Sequence, residues 1–385
     1  MANELIPTRR KVVYGLAETT AGTDIAPTAT NVMYFDEFNV NVVEEMIERN
    51  GVSPEGPGFR PAVGASMVEI DFETEIVFPT ISAADTTDLP SVHPLLHAGL
   101  WKRQGDSADN TQIYILASYG KQSSTFYVYE IDEDDADANL TKCVGTVFST
   151  TLSWTAGERL SISGSGLSKG FFSTGDTDDI YDATGAGSSS VTYPSDDPTV
   201  AKDATVKVMT TGAVPSVYGG GTAASPNNDL VVTSLELESG VEVHAQRGFS
   251  ALGGIKRIRG VREGYATLTL TMEMASASDF NPVSYRHDRT VLEVNLTFTN
   301  PATTTNKCQF LFYGCVTEVS KEDDAGRRLW TLTLQGVYPE DASDSDPLAG
   351  RSPTQLFKAG TNKGLYLDPT SGPARGIAAL TFYST

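Results

Sequence analysis

The chain carries one β-strand pattern twice, and that repetition limits what it can fold into. Residues 142–166 run Lys142-Cys143, an alternating stretch, Ala156-Gly157-Glu158-Arg159-Leu160, Ser161-Ile162-Ser163 and Gly166. Residues 307–336 run Lys307-Cys308, an alternating stretch, Ala325-Gly326-Arg327-Arg328-Leu329, Thr331-Leu332-Thr333 and Gly336, at nearly the same spacing. A second echo lies upstream. Displaced by 198 residues, Arg49 falls on Arg247, and Val68, Ile70, Phe72 and Ile76 fall on Ala266, Leu268, Leu270 and Met274. A β-unit repeated in tandem implies copies that sit side by side in something larger.

The local pattern is strands and turns almost throughout. From Val68 to Ile76 apolar and polar residues alternate strictly, so Val68, Ile70 and Phe72 face a core while Glu69, Asp71, Glu73 and Glu75 face away. Phe126–Ile131, Val231–Glu238, Leu292–Phe298, Phe310–Val319 and Trp330–Leu334 predict further strands. One helix is predicted over Ser91–Trp101, after Pro90, with Val92, Leu95, Leu96 and Leu100 as its apolar stripe. A shorter one is predicted around Ser278–Tyr285. Ser173–Asp229 is rich in Gly, Ser, Thr, Asp and Pro and reads as a linker holding one strand, Ala204–Thr211. From Asp341 the chain is again loop-rich until a last strand over Gly376–Tyr383, which could add to a neighbouring sheet edge. The expected fold class is therefore all-β. Two β-units, 1–172 and 230–340, each carry one short helix, with a linker or insertion at 173–229 and an extension at 341–385.

Composition excludes several functions. With 28 basic and 49 acidic side chains the net charge is −21, mostly from residues 1–229, whereas a nucleic-acid reader needs a basic footprint to neutralise phosphates. Met1–Lys11 has no apolar h-region, so no signal peptide is expected. No apolar run approaches the ~18 residues of a membrane span. The three cysteines are odd in number, and Cys308 and Cys315 would point to opposite faces of one strand. Reduced, structural thiols are expected, with Cys143 and Cys308 at equivalent places in the two copies.

Catalytic chemistry finds little footing. His93 and His97 have helical spacing, but Pro94 lies between them and no third ligand follows, so they read as helix-surface histidines. Asp135-Ala136-Asp137-Ala138-Asn139 opens like a calcium loop. Leu140 then stands at the glycine position and Thr146 at the acidic one, so a solvated hairpin tip is expected. Gly164-Ser165-Gly166 follows a strand with no helix after it, which argues against a phosphate cradle. The sequons at Asn139 and Asn295 have no signal peptide to make them glycosylation sites. No catalytic residue, cofactor or metal is expected, and a hydrolase on a β-scaffold would lack its nucleophile, base and metal.

Two features carry physical content. Glu69, Asp71, Glu73 and Glu75 stack four like charges on one strand face, where β-propensity alone would select Thr or Val. The aligned positions of copy two, Thr267, Thr269, Thr271 and Glu273, stay polar and lose most of the charge. The second feature is a hairpin-like loop, Leu252–Arg262, with Lys256, Arg257, Arg259 and Arg262 between glycines in an otherwise acidic chain. Such a loop suits docking onto another copy of the same protein.

Tyr14-Gly15-Leu16-Ala17-Glu18-Thr19-Thr20-Ala21-Gly22-Thr23-Asp24-Ile25-Ala26-Pro27-Thr28 resembles the opening of tail tube (major tail) proteins of long-tailed, siphovirus-type bacteriophages, which often read Glu-x-x-x-Gly-Thr, then Pro, then small polar residues. Pro90 with Leu95-Leu96 and Ala98-Gly99-Leu100 is similar to that family's single helix, and Arg49 followed by a Pro/Gly-rich loop, Gly64 and an alternating strand fits the same scheme. The resemblance implies a β-sandwich whose inner sheet joins those of neighbouring subunits around a lumen, usually six units per ring. Two units in one chain then imply three chains per ring with pseudo-sixfold symmetry. It implies no enzyme, and partners that are other copies of itself, tape-measure and tail terminator proteins, and DNA passing without specific binding. There would be no membrane contact. The place would be the virion tail, assembled in the host cytoplasm. On this reading Glu69, Asp71, Glu73, Glu75, Thr267, Thr269, Thr271 and Glu273 line the lumen. Lys256, Arg257, Arg259 and Arg262 reach toward an adjacent ring and become ordered only in the tube. A two-domain β-sandwich adhesin or virion decoration protein is the alternative, and it predicts a surface aromatic cluster around a concave site.

Overall fold

A computed structural model describes residues 11–47, 62–78, 89–106, 111–117, 122–131, 138–169, 171–174, 199, 204–210, 230–248, 255–274, 280–300, 306–324, 326–337 and 378–384. The protein is mainly β, with large antiparallel sheets. Copy one contributes β1 (Lys11–Ala17), β2 (Val32–Met33), β3 (Glu37–Ile47), β4 (Ala62–Glu75), α1 (His93–Ala98), β5 (Trp101–Asp106), β6 (Thr111–Leu116), β7 (Ser124–Ile131), β8 (Ala138–Thr155), β9 (Ser161–Ser168) and β10 (Phe171–Thr174). There follow β11 (Ala204–Thr210), β12 (Val232–Glu238), β13 (Val241–Arg247), β14 (Ile255–Arg262), β15 (Thr267–Glu273), α2 (Pro282–His287), β16 (Val291–Thr299), β17 (Asn306–Asp324), β18 (Arg327–Gly336) and β19 (Ala378–Ser384).

Two long strands organise the molecule, and each belongs to two layers. The first half of β8 pairs with β7 and β10, and its second half with β9 and β12. The first half of β17 pairs with β16 and β19, and its second half with β18. Outside β9 lie β4 and then β3, while β15 lies between β18 and β12. One layer is therefore an antiparallel run β3-β4-β9-β8-β12-β15-β18-β17, with four strands from each half of the chain. The β8–β12 pairing joins the halves, with Trp154 opposite Leu235 and Leu152 opposite Leu237.

The other layer is built from β2-β1-β7-β8-β10 and from β11-β16-β17-β19-β6-β5. β11 falls in the stretch that reads as a linker, yet it pairs with β16 from Ala204–Phe298 to Thr210–Leu292, as β1 pairs with β7. The last strand does add to a sheet edge: β19 lies between β17 and β6.

Alternation explains the core. Alternate residues of β4 from Val68 to Phe72, and of β15, β16 and β18, are buried in one continuous cluster, including Val68, Ile70, Phe72, Leu268, Leu270, Leu292, Leu296, Leu332 and Leu334. Phe38 meets Phe126 across the layers with ring centroids 5.9 Å apart, and Trp154 of copy one meets Phe298 of copy two at 6.3 Å. Each such aromatic contributes roughly 1.5–3 kcal/mol through burial. Gly164 and Gly166 serve this core. A Cβ at Gly164 would lie 2.8 Å from Phe72 Cε1, and one at Gly166 2.5 Å from Phe148 Cδ1, so these glycines make room for rings.

Both helices are short. α1 starts at His93 rather than Ser91, with Pro94 in its first turn where a missing N–H costs nothing, and it ends at Gly99. α2 starts at Pro282, capped by the Asn281 side chain accepting from Ser284 N at 3.2 Å. In each half the helix is followed by a non-glycine residue in the left-handed region, Leu100 (φ 61°) and Arg289 (φ 54°). His93 corrects the expectation of two surface histidines. It is buried, with Nδ1 2.9 Å from the Tyr114 hydroxyl, because β6 brings Tyr114 over the helix. Burial and the neighbouring His97 pull its pKa down to about 3, so it stays neutral.

Candidate assembly surface

The face of the eight-strand run opposite the core is mostly polar, apart from a patch of Met67, Val147 and Leu167 covered by β13 and β14. Glu69, Asp71 and Glu73 are exposed on β4 and Glu75 is half-buried. Across β4–β9 they stand opposite Leu167, Ser165, Ser163 and Ser161, and β8 continues the rows with Ser149, Thr151 and Ser153. Thr151 and Ser153 then face Glu238 and Glu236 of β12, which face Thr267 and Thr269 of β15, which face Gln335 and Thr333 of β18. Thr271 faces Thr331 with hydroxyl oxygens 3.4 Å apart. The structure thus brings Glu69, Asp71, Glu73, Glu75, Thr267, Thr269, Thr271 and Glu273 onto one surface, although they come from two strands 198 residues apart in register.

Cations stand at one margin of this face. Arg159, on the turn after β8, reaches Glu75 at 2.9 Å and also Asp36. Arg327, on the matching turn after β17, reaches Glu273 at 3.0 Å. Each turn has a glycine in the left-handed region, Gly157 (φ 93°) and Gly326 (φ 84°), which accounts for the Ala-Gly in both copies. These partly exposed pairs contribute ~0–1 kcal/mol each.

No family model matches the chain, and no curated protein matches it.

The two margins of the eight-strand run are unpaired among the described residues. β3 bonds to β4 alone, and residues 316–324 of β17 bond to β18 alone. Both margins hold apolar side chains of core parity: Val42 on β3 is 46 % exposed, and Val319 on β17 is half-buried, two residues before Lys321, whose ammonium lies 4.7 Å from the Trp330 ring centroid. A row of free N–H and C=O groups on a long strand invites another strand.

The basic segment is a strand rather than a loop. Lys256, Arg257, Arg259 and Arg262 all lie on β14, which pairs with β13 as a two-stranded arm. Here the reading of ordering only in a tube is corrected, because the arm is already seated on copy one. Ile255 and Ile258 are buried there with Val147, against Met67 and Leu167. Gly260 lies close enough that a Cβ would be 2.9 Å from Val147 Cγ1. Arg247 at the end of β13 pairs with Glu45 of β3 at 3.0 Å. Lys256 and Arg257 remain exposed, and Arg259 and Arg262 are half-buried. Arg257 and Arg259 line a cavity of about 340 Å³ with Thr19, Thr20, Gly22 and Gly145.

Glu18 is a buried structural acceptor that strand patterns alone would miss. It is 5 % exposed, and its carboxylate accepts from four donors. Thr125 Oγ1 and Gly145 N donate to Oε1 at 2.7 Å each, and Gly22 N and Ser123 Oγ donate to Oε2. Gly22 (φ 76°) and Gly145 (φ 68°) both occupy the left-handed region, so their N–H groups can converge on it. This gives a physical reason for the Glu-x-x-x-Gly spacing from Glu18 to Gly22.

The remaining candidates are structural. Cys143 and Cys308 are buried free thiols on β8 and β17, with burial pushing the Cys143 pKa up to about 12 and Cys308 up as well, which keeps both protonated and inert. Glu242, His244 and Glu263 gather near the base of the arm, all exposed, with His244 Nε2 3.4 Å from Glu263 Oε1, and they are the group of described residues that could hold a metal ion. Residues 135–137 of the calcium-like stretch lie outside the described residues. Among the described residues no helix is long and apolar enough to cross a membrane.

Proposed function

We propose that the protein is a structural subunit of a phage tail tube, assembling as stacked rings of three chains around a lumen that conducts DNA. The observation that carries this reading is the β8–β12 pairing, which fuses two four-stranded sheets into one run with a mainly polar face and a free edge at each end. A run of that kind is closed by repetition, and closure of a barrel removes its edges. The free margins differ from one another, so the contact is heterologous and generates a ring. The polar face then becomes the inner wall. The reading includes no catalytic role and no cofactor. Its partners are further copies, tape-measure and terminator proteins and passing DNA, in a virion tail.

Electron microscopy of the purified chain tests it: rings or tubes with threefold chain symmetry are expected, and monodisperse monomers at high concentration would refute it. The wall can be tested separately. DNA carries one charge per ~1.7 Å of axis, and the screening length is ~8 Å at physiological salt, so a carboxylate wall repels the duplex only near contact. Changing Glu69, Asp71, Glu73 and Glu75 to Lys should leave tubes able to assemble while slowing or blocking DNA ejection. Unchanged ejection from such tubes would show that these side chains do not face the lumen.

A further inference from the structure

We infer that the free edge of β17 and the surface around Tyr265 form a docking site for β3 and the β3–β4 arm of another copy, in the register already set inside the chain by β8 and β12. The inference rests on the tube reading and adds its residue-level contacts. Its template is an interface this molecule already contains. β12 lies on β8 with Ser234 opposite Thr155 and Glu238 opposite Thr151, and just beyond it Ser239 N donates to Thr150 O at 3.0 Å. The arm that follows β12 then covers Val147, Met67 and Leu167.

Each partner in that junction has a counterpart at a free margin. Counting through the pairings, Thr151 opposes Ser163, which opposes Glu73; in the other half Ser320 opposes Thr331, which opposes Thr271. Ser320 is thus the counterpart of Thr151, and Lys321 of Leu152. Glu238 opposes Thr267, the residue aligned with Glu69, and Glu69 opposes Asn41; Leu237 leads likewise to Ile70 and Val40. The register across the chain boundary is therefore Asn41 opposite Ser320 and Val40 opposite Lys321, with Val42 opposite Val319.

That register resolves three exposures at once. Val42, 46 % exposed, lands on Val319, a half-buried residue packed against the core. Val40 lands beside the Lys321 stem and Trp330. Tyr265, 68 % exposed, aligns with Met67, the residue that the arm shields in copy one. A neighbour's β3–β4 ribbon, which runs on to Ile47 and back from Ala62, arrives over it. Polar parity is kept as well, since Asn41 and Ser320 both belong to the polar face through Glu69 and Thr331.

Paired cysteines test this. Opposed residues of antiparallel strands alternate between narrow and wide pairs, so one of the two neighbouring pairs offers disulfide geometry. Full-length Asn41→Cys/Ser320→Cys and Val40→Cys/Lys321→Cys, each in a Cys315→Ser background, would be oxidised after assembly and run without reductant. A band of three covalently joined chains is expected from one of them. The out-of-register control, Asn41→Cys/Glu318→Cys, should stay monomeric. Single-cysteine variants, checked by microscopy for rings, show that assembly survives each change. Rings that form yet cross-link only through the shifted pair, or through none, would overturn the register and leave the tube reading standing. Failure of the unsubstituted chain to form any ring would overturn both.

Discussion

Replacing Glu18 by alanine should destabilise copy one by on the order of 4 kcal/mol, since two backbone N–H groups and two hydroxyls lose a common buried acceptor and each orphaned donor costs ~1–3 kcal/mol. The four donors come from three segments: the turn at Gly22, Ser123 and Thr125 around the start of β7, and Gly145 within β8. Removing the carboxylate therefore frees the 19–22 turn from the sheet rather than trimming one contact. Glu18→Gln keeps the volume but turns an amide nitrogen toward donors, and it should recover less than half of the loss. Urea unfolding at neutral pH measures both. A midpoint for Glu18→Ala within ~1 kcal/mol of the parent would mean that water replaces the carboxylate and that it is not the anchor of this turn.

Glu293 should contribute a part of the stability that falls as pH rises from about 4.5 to about 7, opposed below about pH 6.5 by His93, which the fold keeps neutral and the unfolded chain charges. Glu293 is 1 % exposed on β16, opposite Tyr313 of β17 and Met209 of β11. Burial pushes its pKa up to about 7 from 4.5, while Tyr313 acts in the other direction. The folded state then binds a proton that the unfolded chain has released, so the contribution is present below pH 4.5 and lost through pH 7. The shift corresponds to roughly 3 kcal/mol at one pKa unit per ~1.4 kcal/mol. Glu293→Gln should remove that part of the slope and raise the thermal midpoint at pH 8 more than at pH 5. Equal midpoint changes at the two pH values would show that Glu293 ionises normally in the folded chain.

Much of the fold is legible from alternation because a two-residue period fixes which side chains are inward before any partner is known. Val68, Ile70, Phe72, Leu332 and Leu334 are buried as their spacing requires, and the four carboxylates of β4 share the opposite face. What alternation cannot supply is the identity of the neighbouring strand. Glu236 and Glu238 belong to the polar face only because β12 lies on β8, and β11 belongs to a sheet only because β16 offers an edge. The arm eluded the pattern for a local reason. Ile255 and Ile258 are three apart, and the pairing slips between Gln246 and Arg247, so the inward positions break the period of two while four basic residues suggest a solvated loop. His93 was misplaced because its cover, Tyr114, comes from a hairpin that copy two does not repeat between α2 and β16.

That unmatched hairpin also sets an order of events. β6 receives β19 with Ala379 opposite Ile115, so strands 264 positions apart in sequence are adjacent in space, and β19 separates β6 from β17. Closing so long a loop makes the contact entropically late and the topology slow to reach. During synthesis the ribosome therefore releases β6 and β17 as two waiting edges, each able to accept a foreign strand, until Ala378–Ser384 emerges and fills the gap between them. A nascent chain is in this sense a different molecule from the finished one: sticky along a seam that the mature protein does not show.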